Sequence, residues 1–340
     1  MNASFAPHHE AGCCRRDFLK GTLSCGAYTF AALAASSVAT RKAFAQPKAE
    51  AAITKPFARI EPVTDGAWAV ISTPIADQTT ISNGAIIAGN DAVLTVEGFQ
   101  TAEGAAWLND VCKELTGRHA THVALTHYHG DHSNGLAGYL GGDSNPSIIA
   151  TSGTRDLLVK MLGDQQPSDA KDSHGLRSTG LKHVVPDTVL LDADGEATLD
   201  LDGKKVRLRP YVGHTPSDMT IELLDPHVVW CGDLFFNGFF PNYGDAVPTK
   251  LRENCQAILG DKTSTFVPGH GGIAGEAEIA NYLGLLEAVE EAARAGLGAG
   301  KSPEEIAAEF KLPESLGNWM VYDPSLFARA FTAWQRDLDA

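Results

Sequence analysis

Seven consecutive residues constrain this chain more than any other feature: Thr126-His127-Tyr128-His129-Gly130-Asp131-His132, at the end of the strand-like run 122–126. With 12 His in 340 residues, three His and an Asp at these fixed places arise by chance in roughly one such chain in a thousand. Residues two apart in an extended chain share a face, so His127 and His129 can turn toward one ion. Gly130 lets the backbone bend, and Asp131 and His132 can then reach a neighbouring ion. Imidazole and carboxylate together suit zinc, and also manganese or iron, better than calcium.

The rest of the composition supports a folded, acidic, exported protein. Hydrophobic residues make up 44% and charged residues 20%, which excludes disordered, collagenous and coiled-coil classes. The formal charge of −15 argues against nucleic acid or an anionic membrane surface as partner. Residues 1–45 stand apart. Arg15-Arg16-Asp17-Phe18-Leu19-Lys20 precedes a weakly apolar stretch, 21–40, and then Ala43-Phe44-Ala45, the order of a charged region, an apolar region and a cleavage site. The segment resembles a twin-arginine signal, with Cys14 where Ser or Thr is usual. Ser24, Thr29, Ser36, Ser37 and Thr40 make it too polar for a comfortable span. The expectation is a cleaved leader handled by the twin-arginine export machinery, a periplasmic or otherwise exported product, and no stable membrane anchor after cleavage. Cys13, Cys14 and Cys25 leave with the leader. The remaining Cys112, Cys231 and Cys255 do not make a disulfide scaffold.

After a flexible mature N-terminus at 46–56, short strand-like runs dominate at 67–72, 84–88 and 92–96. Residues 101–115 carry Ala105, Leu108, Val111, Cys112 and Leu115 at helical spacing, and the strand-like 122–126 follows. A helical segment near 156–161 leads into a polar, aperiodic loop at 163–182. Strand-like runs resume at 188–191, 197–201, 206–212, 219–224 and 228–231, with Asp202-Gly203 as a hairpin turn. From residue 273 onward the chain reads as helical, including 283–294 and a helix start at Ser302-Pro303-Glu304-Glu305. Two β-rich halves thus flank helical segments.

The seven-residue cluster resembles the H-x-H-x-D-H signature of the metallo-β-lactamase superfamily. Three further motifs follow in that family's order: Gly213-His214-Thr215-Pro216, Cys231-Gly232-Asp233 and Val267-Pro268-Gly269-His270-Gly271. The resemblance implies an α/β fold, the four-layer αββα metallo-β-lactamase sandwich, over residues 57–285, with a helical C-terminal extension at 286–340. It also implies two zinc ions. His127, His129 and His214 would bind the first, Asp131, His132 and His270 the second, and Asp233 would bridge them. The implied chemistry is attack of a metal-bridging hydroxide on a carbonyl, with Asp131 as the catalytic residue that orients it and later helps to protonate the leaving group. Glu97, in Thr95-Val96-Glu97-Gly98, stands where the family usually has Asp, and would support the ligands with a longer reach.

His119, His122, His174, His183 and His227 match no ligand position and are read as surface or core histidines. Cys231 is read as a buried core thiol. Tyr128, Phe235, Phe236, Phe239 and Phe240 are read as partly core and partly a substrate-facing loop. In the zinc β-lactamases most similar in spacing, a cysteine stands at the Asp233 position, and a lysine at the Phe236 position binds the drug's carboxylate. Both differences weaken the β-lactamase reading. The full Asp-His plus bridging-Asp set resembles that of glyoxalase II thioesterases and lactonases, which implies a small-molecule ester, lactone or thioester as substrate, with Phe236, Asn237 and Asn242 as the expected contacts. The segment Asn242-Tyr243-Gly244-Asp245-Ala246 resembles the corresponding β-lactamase loop, so a β-lactamase is one alternative. A persulfide dioxygenase, holding one iron with two His and an Asp, is the other.

Overall fold

Strands that are apolar on both faces have to be covered twice, and three in the first half of the chain are of this kind. Strands β2 (Ala67–Ser72), β3 (Gly84–Ala88) and β4 (Val93–Val96) are buried at nearly every position, which places them inside a layered stack. A computed structural model describes residues 53–141, 143–163, 186–190, 195–260 and 263–340. The leader, residues 46–52 and nearly all of the polar loop expected at 163–182 lie outside the described residues.

The first sheet has seven strands in sequence order: β1 (Ala58–Thr64), β2, β3, β4, β5 (His122–Ala124), β6 (Ser147–Thr151) and β7 (Thr188–Leu190). Its first four strands pair antiparallel, and β4 through β7 pair parallel. The second sheet runs β12-β11-β10-β9-β8, built from β8 (Ala197–Asp200), β9 (Lys205–Tyr211), β10 (Asp218–Leu224), β11 (His227–Trp230) and β12 (Thr265–Val267). The β8–β9 hairpin turns on Asp202 and Gly203, with φ of 59° and 90°. These left-handed values are what a two-residue turn between twisted strands demands.

The period-two alternation of each strand sorts side chains between cores. Ile86 faces the helix α1 (Ala102–Thr116), beside Leu108 and Val111. Its neighbours Ala85 and Ile87 face the second sheet, where they join Leu208, Met219, Ile221 and Trp230. On the far side of the second sheet, Val229 and Phe266 pack with α4 (Pro248–Leu259), α5 (Glu276–Gly298) and α7 (Ser325–Leu338) through Leu251, Tyr282, Leu285, Phe331 and Trp334. The layers are therefore helix, sheet, sheet, helix, with α3 (Ser152–Gly163) after β6 and α6 (Pro303–Glu309) between α5 and α7. Helix α1 is closed at both ends: Thr101 Oγ1 accepts from Gly104 N at 3.2 Å, and Gly117 ends the helix in the left-handed region. Among the described residues, no helix is long and apolar enough to cross a membrane.

Several expectations need correction. Helix α5 runs straight through the 285/286 position, and the helices after it share its core. Phe331 and Trp334 are at most 1% exposed, and burying each side chain is worth roughly 1.5–3 kcal/mol. Cutting the chain there would divide one core. Of the stretch expected to be flexible, residues 53–56 fold back on β1: Ile60 N donates to Ile53 O, and Lys55 N to Ala58 O. Strands β1, β6 and β12 and helix α4 have no counterpart in the sequence reading. β1 carries Pro62 at a register shift, which interrupts the alternation. β12 has three residues, too few to show a period. Helix α4 did carry a signal, Leu251, Cys255 and Leu259 at four-residue spacing, after Pro248 at its first turn.

Candidate metal centre

Five strands deliver the site from their C-terminal ends. Glu97 follows β4, the His127–His132 cluster follows β5, His214 follows β9, Asp233 follows β11 and His270 follows β12. Within the cluster, Gly130–Ser133 winds into a single helical turn, α2, and this turns Asp131 and His132 away from His127 and His129. All seven residues expected to bind metal come together as two groups: His127, His129, His214 and Asp233 in one, and Asp131, His132 and His270 in the other.

Asp233 reaches both groups with separate atoms. Its Oδ2 lies 3.3 Å from His214 Nε2 and 3.9 Å from His127 Nε2, and its Oδ1 lies 3.2 Å from His132 Nε2 and 3.3 Å from His270 Nε2. His129 Nδ1 completes the first group, 3.1 Å from His127 Nε2 and 2.9 Å from His214 Nε2. In the second, Asp131 Oδ2 is 3.5 Å from His132 Nε2 and 3.3 Å from His270 Nε2. Tetrahedral zinc ligands at 2.0–2.2 Å from the ion stand about 3.3–3.6 Å from one another; the second group has that spacing, and the first, at 2.9–3.9 Å, brackets it. His132 Nε2 and Asp233 Oδ1 are buried 3.2 Å apart without hydrogen-bond geometry between them. Buried polar atoms of this kind need a partner, and a cation would be one.

Supporting contacts fix which ring nitrogen of three of the histidines faces inward. Glu97 Oε1 lies 3.1 Å from His132 Nδ1 and accepts from Thr126 Oγ1 at 2.5 Å. Thr126 Oγ1 is in turn 3.0 Å from His127 Nδ1. One carboxylate thus orients a ligand of each group, His132 directly and His127 through a threonine. On the outer side, Asp245 Oδ2 lies 3.0 Å from His129 Nε2 and accepts from Tyr128 Oη at 2.6 Å. These hydrogen bonds and the neighbouring imidazoles hold the Asp245 carboxyl well below the usual range, despite its partial burial.

The charges sort the histidines into two kinds. Burial, reinforced by repulsion from other imidazoles, keeps His127 well below its ordinary value and brings His214 down to about 3, so both offer neutral nitrogens. Burial also works against protonating His132 and His270, but the surrounding carboxylates prevail. Asp233, Asp131 and Glu97 hold His132 well above its ordinary value, and Asp233 and Asp131 raise His270 to about 9. Without a cation, protons occupy the second group. A metal entering there must displace them.

The remaining expected residues take different places. Phe236 is 4% exposed and stacks on His270, with ring centroids 5.2 Å apart at 14°. It braces a ligand and offers almost no surface to a substrate. Phe235 and Phe240 are core residues, so the aromatic run is less substrate-facing than expected. Asn237 brackets the His270 loop, its backbone N donating to His270 O and its side chain to Gly272 O, each at 2.9 Å. Asn242 Oδ1 accepts from Gly244 N within its own loop. Cys231 is a free buried thiol, raised by burial, and takes no part in the ligand set. His122 and His227 bond to Thr121 and Ser264, while His174 and His183 lie outside the described residues.

Sequence reasoning assigned no role to Asp245, Thr126, Ser82 or Asn83. Asn83 Nδ2 donates to Pro268 O and Gly271 O, clamping the loop that carries His270, and Ser82 Oγ donates to Asp131 O. Gly269 in that loop has a steric reason to be glycine, since a Cβ there would lie 2.0 Å from Asp233 Oδ1.

Comparison with known proteins agrees with this geometry. Residues 104–270 match the model of the Metallo-beta-lactamase superfamily. Among solved structures, the stereoselective inverting sec-alkylsulfatase Pisa1 from Pseudomonas sp. is similar with a TM-score of 0.60 and 19% identity, over 82% of this chain and 50% of that one. This chain thus spans about half the length of that sulfatase. A metallo-β-lactamase from Erythrobacter litoralis is similar with a TM-score of 0.54 and 20% identity, over 70% of this chain and 99% of that one. The DIM-1 metallo-β-lactamase follows with a TM-score of 0.53 and 20% identity, over 68% and 98% of the two chains. No curated protein matches the chain.

Proposed function

We propose that this chain, which carries a metallo-β-lactamase superfamily domain, is an exported hydrolase that holds two zinc ions and cleaves an uncharged ester, lactone or thioester. The observation that carries the proposal is the division of the Asp233 carboxylate, one oxygen toward each ligand group. The same ligand set also accommodates one iron on two His and an Asp, so metal content rather than the ligands separates the two readings.

Bound there, two zinc ions would polarise the substrate carbonyl and bring the pKa of water toward neutrality. The chain's own residues do the rest. His127, His129 and His214 supply neutral donors on one side, and Asp233 ties the two groups into one unit. Asp131 belongs to the second group yet keeps 20% of its side chain accessible, so its carboxyl is placed to take a proton inside the site and pass it to a departing group. Glu97 and Asp245 hold the imidazoles that need a defined orientation.

The uncharged substrate rests on the resemblance: zinc β-lactamases of similar spacing place a lysine at position 236 for an anionic substrate group, whereas Phe236 is an apolar ring turned against His270 and supplies no cation. Losing a charge-assisted contact costs about 1.5–3 kcal/mol, or some tenfold to a hundredfold in binding. On one two-zinc preparation, kcat/KM for an acyl ester is expected to exceed that for nitrocefin and for a carbapenem by at least about tenfold. A β-lactam ahead by that margin would make the protein a β-lactamase instead. One iron in place of two zincs would favour the dioxygenase alternative.

Export by the twin-arginine route belongs to the same proposal, motivated by Arg15, Arg16 and Ala43-Phe44-Ala45. The mature chain is expected to start near Gln46 in the periplasm, and the double variant Arg15→Lys, Arg16→Lys to stay in the cytoplasm as precursor. Normal export of that variant would remove the assignment.

A further inference from the structure

Met320 and Tyr322, 40% and 52% exposed, are two large apolar side chains left at the surface within one short segment. They lie between the short 3-10 turn Glu314–Leu316 and α7, beyond the residues that match the superfamily model. The segment is docked, with Met320 N donating to Gly238 O and Phe240 N to Met320 O, each at 2.9 Å. Trp319 anchors it from behind, its Nε1 donating to Leu316 O at 3.0 Å and its ring 6.3 Å from Tyr282.

This docking lays the Tyr322 ring flat on Phe239, with centroids 5.4 Å apart at 9°, and Phe239 presents itself to His270 at 6.5 Å. An unbroken file of rings therefore runs from a metal ligand to the surface. Burial and the Asp131 carboxylate push the Tyr322 hydroxyl up to about 12, so the ring stays neutral. Phe239, Met320 and Tyr322 bring no cation, and a chain of formal charge −15 does not attract anions. An apolar surface next to a catalytic centre fits a neutral, apolar piece of substrate.

We propose that Phe239, Met320 and Tyr322 form the wall that receives the apolar acyl part of the substrate, so that the segment after α5 sets specificity for chemistry performed by the superfamily domain. This inference rests on the hydrolase reading for the identity of its occupant.

The test compares wild type, Tyr322→Ala and Tyr322→Phe as full-length mature, zinc-loaded proteins. The substrates are 4-nitrophenyl acetate and 4-nitrophenyl octanoate, and octanol binding is measured by calorimetry as a readout free of turnover. Tyr322→Ala is expected to raise KM for the octanoate and weaken octanol binding by about tenfold, with the acetate changed less than about twofold and zinc content and Tm unchanged. Tyr322→Phe keeps the ring and is expected to behave as wild type. Parallel loss on both esters, or an unchanged KM for the octanoate, would overturn the wall, as would a wild-type protein that binds no octanol. A wild-type protein that binds octanol through Tyr322 but hydrolyses neither ester would keep the wall and remove the hydrolase reading.

Discussion

Asp233→Ala is expected to lower turnover by at least about a thousandfold, the loss of some 4 kcal/mol of transition-state stabilisation, and to leave a folded protein that retains little metal. Asp233 is the only carboxylate in the first group and lies at 3.2–3.3 Å from both imidazoles of the second. Without it, the first group is three neutral histidines, and nothing ties it to the other. The same substitution changes the proton balance. Asp233 is the largest favourable influence holding protons on His132 and His270, so its removal lets both fall toward neutrality. Zinc binding to wild type at pH 7 is therefore expected to release protons from these two groups, and binding to the variant to release fewer, as read by calorimetry in buffers of different ionisation enthalpy. Metal analysis after desalting and circular-dichroism melting complete the experiment. The fold should survive, because the neighbours Leu234 and Phe235 carry the packing and a buried carboxylate is a weak source of stability. A variant with two tightly held metals and full turnover would show that Asp233 does not bridge.

What the sequence disclosed depended on how far apart in the chain the partners lie. His127, His129, Asp131 and His132 fall within six residues, and the geometry of one strand end and one turn is enough to divide them between two sites. His214, Asp233 and His270 were legible through similarity to known motifs, each a short turn after a strand. Asp245 was not. Its contact with His129 spans 116 residues, and an aspartate after a glycine in a loop looks like ordinary turn chemistry. Asn83 clamps a loop 188 residues away, and a Ser-Asn pair before a strand carries no local mark of it. The aromatic run at 235–240, read as partly core and partly surface, divides that way: β11 and α4 on either side of it supply a core that Phe235, Phe236 and Phe240 fill. The rings that do reach the solvent, Phe239 and Tyr322, meet across 83 residues of chain.

Glu97 supports a ligand of each metal group from one side chain, His132 directly and His127 through Thr126. It is 1% exposed, sits in the left-handed region at φ 75°, and burial raises its carboxyl against the pull of His132 and Thr126. A non-glycine residue held at positive φ is strained, and here several contacts enforce it. Glu97 N donates to Ala124 O, Tyr139 Oη donates to Glu97 O at 2.9 Å, and Gly98 N donates to His132 O at 2.7 Å. The carboxylate meets His132 Nδ1 and both the hydroxyl and the backbone N–H of Thr126, all of which act as donors when His132 binds metal through Nε2. A glutamine has only one oxygen for them and turns an NH₂ toward the rest, so at least one buried donor is left unpaired, at a cost of about 1–3 kcal/mol. Glu97→Gln is therefore expected to weaken metal binding by the Asp131, His132 and His270 group by tenfold to a hundredfold. The His127, His129 and His214 group should lose less, because Glu97 touches it only through Thr126 Oγ1. Glu97→Asp keeps the charge and tolerates the left-handed backbone, but it is one methylene short of both partners and should fall between. Zinc titration of each variant with a competing chelator separates the two sites. Equal weakening of both, or of neither, would mean that Glu97 supports the backbone turn rather than the imidazole of His132.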